Sequence, residues 1–210
     1  MKNKALWVWY LNKLQIEKFI QYVKDNNYTK IMLNWESIDK NYPVIKNELG
    51  IDVSILIGDQ NKLTAKEIIS RLESVNHLSE IKQIHLDLEL PSIKEINSYL
   101  NTLYEVVTYF KDKDYKVEIA VETWNLHPTY KSILNKADEW YLMNYSKHWF
   151  TTILKGFGWY SKPFYMGVET IPEMNKICLR EQEYSILDKV SNLLFKNYKG
   201  LAIHHYGSVR

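Results

Sequence analysis

Apolar and polar positions along this chain switch repeatedly between two periods, one of two residues and one of about 3.6. Short alternating or wholly apolar runs predict strands at Ala5–Tyr10, Lys30–Trp35, Val53–Ile57, Lys82–Leu90, Tyr115–Thr123, Glu139–Tyr145, Pro163–Glu169 and Leu201–Tyr206. Helical spacing fills the gaps. Over Leu14–Lys24 it puts Leu14, Ile16, Phe19, Ile20 and Val23 on one face. A poorer helix, interrupted by Pro43, stops near Gly50. Thr64 and Glu67 have the spacing of a capping box, as do Ser92 and Glu95, which open a long helix to about Lys111. Weaker helices follow near Pro128 and over Trp149–Gly156. A strong one spans about Arg180–Tyr198, with Gly200 expected at its C′ position.

Strict βα alternation implies a parallel sheet, and eight units imply its closure. The prediction is an α/β protein, a single (β/α)8 TIM barrel over residues 1–210 with eight parallel strands and short βα loops. The rival is an open doubly wound sheet, which calls for a glycine-rich first turn. The segment Leu11-Asn12-Lys13 contains no glycine.

The fourth strand is the most informative. In Gln83-Ile84-His85-Leu86-Asp87-Leu88-Glu89-Leu90, one face carries Ile84, Leu86, Leu88 and Leu90 and the other His85, Asp87 and Glu89. In a barrel that polar face points inward, where charge is costly unless paired or used. Active sites in such barrels sit at the C-terminal ends of the strands. Those ends supply Trp9, Asn34, Asp59, Asp87, Glu89, Glu122, Trp124, Asn144, Tyr145, Glu169, His204, His205 and Tyr206. Adjacent strand residues alternate, so only one of His204 and His205 faces the barrel.

Composition narrows the partners. Net charge is +2 with no basic block, which argues against a nucleic-acid binder. No apolar run is long enough for a membrane span. The lone Cys178 excludes an internal disulfide and a cysteine-rich metal site. The short aromatic run after Met1 reads as the first strand rather than a leader, so a cytoplasmic location is expected, with a processed secreted form equally compatible. Sixteen Tyr and seven Trp exceed what the core needs, and the surplus suits a pocket for a flat amphipathic ligand such as a carbohydrate. The sequence carries no signal for an oligomeric state.

Two chemistries suit the rim. In glycoside hydrolysis Glu89 is the natural acid, with Asp87 about 7 Å deeper on the same strand face to keep it protonated. Glu122, Glu169 and a strand-eight histidine would hold the sugar, with Trp9, Asn34, Trp124, Asn144 and Tyr206 beside them. A metal-assisted site would use His85, Asp87, Glu122, Glu169 and a strand-eight histidine, but no HxH or HExxH spacing supports it. The expectation is therefore of no metal and no cofactor. A third possibility is a barrel that binds carbohydrate without turning it over.

His85-Leu86-Asp87-Leu88-Glu89 resembles the tail of the DxxDxDxE strand of glycoside hydrolase family 18, the chitinase-like barrels. Met143-Asn144-Tyr145 resembles that family's M-x-Y element. The resemblance implies Glu89 as general acid, with Asp87 and Tyr145 orienting the substrate's acetamido group. The intermediate would then be an oxazolinium formed by the substrate's own N-acetyl oxygen. The departures are specific. His85 stands where the family has aspartate, Ala202–Tyr206 lacks the family's last-strand tryptophan, and Glu169 has no counterpart.

Overall fold

The structure, a computed structural model, describes residues 3–12, 15–59, 63–88, 96–121, 128–145, 148–155, 161–169 and 181–204. In chain order the elements are β1 (Asn3–Val8), α1 (Ile16–Asp25), β2 (Lys30–Asn34), α2 (Trp35–Leu49), β3 (Asp52–Asp59), α3 (Ala65–Glu73), α4 (Leu78–Ile81) and β4 (Gln83–Leu88). They continue as α5 (Ile96–Asp112), β5 (Lys116–Val121), α6 (Pro128–Leu134), β6 (Glu139–Leu142), α7 (Trp149–Lys155), β7 (Phe164–Glu169), α8 (Glu181–Leu194) and β8 (Tyr198–His204). Every neighbouring pair of strands is parallel, and β8 returns to β1 to close the barrel.

Strand parity builds two separate cores. One face of each strand contributes residues such as Leu6, Leu33, Ile55, Leu86, Val121 and Met166 to a layer shared with the helices. The other face sends Ala5, Trp7, Met32, Leu56, Tyr141, Tyr165 and Ala202 into a cluster inside the barrel. Burial stabilises each aliphatic side chain of the outer layer by about 1.5–3 kcal/mol. The inner face also carries Lys30, Ser54, His85, Asp87, Glu118 and Glu169, all buried. Each of those costs free energy unless partnered, so their partners define the interior.

Four details differ from the sequence reading, each for a local reason. Helix α2 starts at Trp35, directly after β2, because the Asn34 side chain accepts the Glu36 N–H at 2.9 Å and caps it. It runs through Pro43 without a break, since Ile38, Tyr42 and Ile45 bury its inner face. Trp35 therefore joins the helix layer, under the Arg71 guanidinium, instead of the rim. Strand β6 stops at Leu142, where the Asn144 N–H turns back to the Leu142 carbonyl at 2.9 Å.

The third difference is at Gly200, which lies inside β8 and does not cap α8. It pairs with Asn3 across the closing seam, and a Cβ there would run into the Asn3 carbonyl. Only glycine lets β1 and β8 approach. The fourth is the short helix α4, which the periodicity did not predict. The Thr64–Glu67 capping box forms as expected, while Ser92 and Glu95 lie outside the described residues. Among the described residues no helix is long and apolar enough to cross a membrane.

Candidate active site

The barrel interior is built upward from a buried charge cluster. At the N-terminal ends of the strands, Lys30 of β2 pairs with Glu118 of β5, both essentially inaccessible to water. Ser54 donates to Glu118 Oε2 at 3.0 Å, and Lys116 Nζ lies 3.3 Å from Oε1. Lys116 also reaches Glu139 at 2.9 Å. Burial alone would push the Glu118 carboxyl up. Lys30, His85 and Lys116 outweigh it and hold the group well below the usual carboxylate range. Burial, reinforced by the Glu118 charge, keeps the Tyr141 phenol far above its usual range and therefore neutral.

One layer higher, Trp7 of β1 donates its indole N–H to His85 Nε2 at 3.0 Å. Nε2 thus accepts, and the imidazole carries its proton on Nδ1, which faces Glu118 Oε2 at 3.5 Å. That distance is longer than a hydrogen bond, and the buried Nδ1 makes none among the described residues. Tyr141 packs edge-on to both rings, with centroids 4.5 Å from His85 and 5.6 Å from Trp7.

At the mouth the same three residue types recur. Trp9, just beyond β1, donates its indole N–H to His204 Nε2 at 3.2 Å. His204 Nδ1 lies 2.7 Å from Glu169 Oε2, so the ring proton is donated to the carboxylate. Glu169 is buried at 1% exposure, whereas the His204 side chain is 27% exposed. Tyr145 lies beside His204 with ring centroids 5.9 Å apart. At its far end the Trp9 indole fills the space where Gly58 has no Cβ, next to the Asp87 backbone carbonyl. Asp87 is the polar residue of β4 two positions closer to the mouth than His85, and it is buried.

The structure thus brings together Trp9, Tyr145, Glu169 and His204, with the Asp87 backbone beside the Trp9 indole, and it turns His204 inward. Asn34 sits at the end of β2 with its carbonyl committed to the α2 cap. Asn144 is fully buried, its amide nitrogen 3.8 Å from Met166 Sδ of the helix-facing layer, so it presents no surface to a ligand here. Glu89, Glu122, Trp124, His205 and Tyr206 lie outside the described residues, as does Cys178. Among the described residues no group of three or more His, Cys, Asp or Glu side chains is arranged to hold a metal ion.

The sequence reading did not include Glu118 among the interior residues. A signal was present for Glu118, which shares strand parity with Ala120 and Glu122 in the fifth strand. Lys30 and Glu139 open their strands and had passed as polar strand ends.

No protein-family model matches the sequence. An 86-residue segment is 33% identical to the 3-isopropylmalate dehydratase small subunit of Buchnera aphidicola subsp. Diuraphis noxia, covering 38% of this chain and 39% of that one. That segment is too short to make an eight-stranded barrel and carries no argument about the site. Similar solved structures cover nearly the whole chain. The xylanase–α-amylase inhibitor protein XAIP-I, solved with trehalose, matches 97% of this chain and 92% of its own at 9% identity and a TM-score of 0.69. The family 18 chitinase ChiB of Flavobacterium johnsoniae matches 97% and 88% at 12% identity and 0.67. The spore cortex-lytic enzyme SleL of Bacillus megaterium QM B1551 matches 96% and 70% at 12% identity and 0.58. The chain has a divergent chitinase-like (β/α)8 fold.

Proposed function

We propose that this barrel is a glycosidase-like hydrolase acting on a sugar or oligosaccharide. In this reading Glu89 is the general acid, assisted by Asp87 and Tyr145. The observation that carries the reading is the mouth itself. Asp87, Tyr145, a partly exposed tryptophan and a carboxylate–histidine pair converge at the C-terminal end of a chitinase-like barrel. The chitinase and trehalose-bound neighbours support carbohydrate as the ligand class. Glu122, Trp124 and Tyr206 complete the sugar-holding rim in this reading, with Asn34 offering its amide nitrogen.

Protonation of the leaving oxygen by Glu89 accounts for about 10²–10⁴ of the rate. A screen of aryl glycosides and N-acetylglucosamine oligomers should find a substrate, and Glu89→Gln should lower kcat by at least about 100-fold. Activity that survives this substitution sinks the role of Glu89.

One observation favours a binding barrel without turnover. His85 stands where family 18 has an aspartate, and it is wholly enclosed by Trp7, Tyr141 and Glu118. The position two residues deeper than Asp87 therefore carries an imidazole in place of a carboxylate. Oligosaccharide binding by calorimetry, with intact sugar recovered after long incubation, would select this reading.

A further inference from the structure

We infer that Trp9 is the face on which a bound sugar ring stacks, and that His204, Glu169 and Gly58 are positioning residues that pin this face across the barrel mouth. The inference rests on the carbohydrate reading above and gives Glu169 and His204 a different task from holding the sugar.

The geometry points to it in three ways. First, the indole is fixed at both ends. Its Nε1 is held by His204 on β8, while its six-membered ring lies against Gly58 on β3, beside the Asp87 carbonyl of β4. In the barrel order β8 and β3 stand on opposite sides of β1, so the ring bridges the mouth. Second, the indole packs on the inner cluster of Ala5, Trp7, Met32 and Leu56, yet it remains partly exposed where that cluster is buried. Third, His204 has no nitrogen to spare for a hydroxyl, because Nε2 accepts from Trp9 and Nδ1 donates to Glu169. Glu169, at 1% exposure, holds the Nδ1 edge of that imidazole at 2.7 Å.

A pyranose presents an apolar C–H face with a hydroxyl rim, and an aromatic face held still complements it without ordering a rotamer on binding. Gly58 matters because any Cβ would strike the indole and lift it from this position. The second end of the platform also abuts the strand that carries Asp87. A ring stacked on Trp9 therefore lies next to the residues proposed for chemistry.

The test uses the full chain and calorimetry with tetramers of N-acetylglucosamine, glucose and xylose. Trp9→Ala should weaken binding by about 30-fold, as truncation of an aromatic anchor does. Trp9→Phe, which keeps a face but loses the N–H, and His204→Leu should each weaken it by about fivefold, the loss of one hydrogen bond. Glu169→Gln should fall between wild type and His204→Leu. His204→Gln, which keeps an acceptor, should recover most of the affinity.

An independent readout is the exchange of the Trp9 indole proton by NMR, with the resonance assigned by Trp9→Phe. The proton should be protected in wild type and in His204→Gln but exposed in His204→Leu. Unchanged affinity in folded Trp9→Ala or His204→Leu protein overturns the inference alone. If wild type binds none of the tetramers, the carbohydrate reading and the platform fall together. The indole proton then decides whether the pinning survives without a ligand role.

Discussion

Two Trp–His–Glu chains stand one above the other in this barrel, and both start from β1. Trp9–His204–Glu169 occupies the mouth and Trp7–His85–Glu118 the layer beneath. In both, an indole N–H is donated to Nε2, which turns Nδ1 toward a carboxylate, 2.7 Å from Glu169 and 3.5 Å from Glu118. The surroundings differ. His85 is fully buried, and Glu118 is neutralised by Lys30 and Lys116 and solvated by Ser54. His204 is partly exposed and borders Tyr145 and the open rim. The same residue types therefore hold the barrel together at one level and, in the function proposed above, arrange a ligand face at the other. Neighbours and water access decide which.

The comparison breaks most sharply at the lower carboxylate. Glu118→Gln removes the nearer counter-charge of the buried Lys30, leaving it only Glu139 at 3.7 Å among the described carboxylates, and should cost about 3 kcal/mol in denaturant unfolding. Replacing both partners by apolar residues, Lys30→Met with Glu118→Leu, should cost less than either single change. A double variant as unstable as the sum would show that the pair is not one unit.

The lower carboxylate should also dominate the acid side of the stability curve. Its folded pKa is depressed, so its contribution is fully present above the unfolded value of about 4.3 and is lost as pH falls below it. The stability gap between wild type and Glu118→Gln should be widest near neutrality and should close on acidification below about pH 4. A gap that stays constant down to pH 2 would contradict the assignment.

One substitution made at both levels sharpens the contrast further. Trp7→Phe strands the buried His85 Nε2 acceptor and should cost about 1–3 kcal/mol before any cavity is counted. Trp9→Phe should cost under about 1 kcal/mol, since water reaches that edge of the mouth. Its effect belongs in ligand affinity. Equal losses of stability at the two positions would erase the distinction between a structural and a functional chain.

Parts of this design were open to reading in the sequence. Eight period-two runs separated by helical ones led directly to a closed parallel barrel. The alternation along the fourth strand put His85 and Asp87 on the inner face, and Glu169 and His204 stood out at their strand ends. Other parts were not open. Nothing local says that Trp7 reaches His85, 78 residues away, or that Trp9 reaches His204, 195 residues away. Trp35 looked like a strand tip because hydrophobic pattern cannot register a cap made by the preceding asparagine. Gly200 looked like a helix terminator because the seam that requires it joins the two ends of the chain.

Period and parity are properties of neighbouring residues, so the sequence by itself determined the eight strands, the longer helices between them, their order, and the two faces of each strand. Pairing among the inward side chains depends on register around the ring, which is fixed only when β8 meets β1. That closure decided that one tryptophan–histidine–carboxylate chain would be sealed among lysines and the other left open at the mouth. The physical reason is burial: inside a closed barrel a polar group must find its partner across the ring, and only the closed ring says which partner is there.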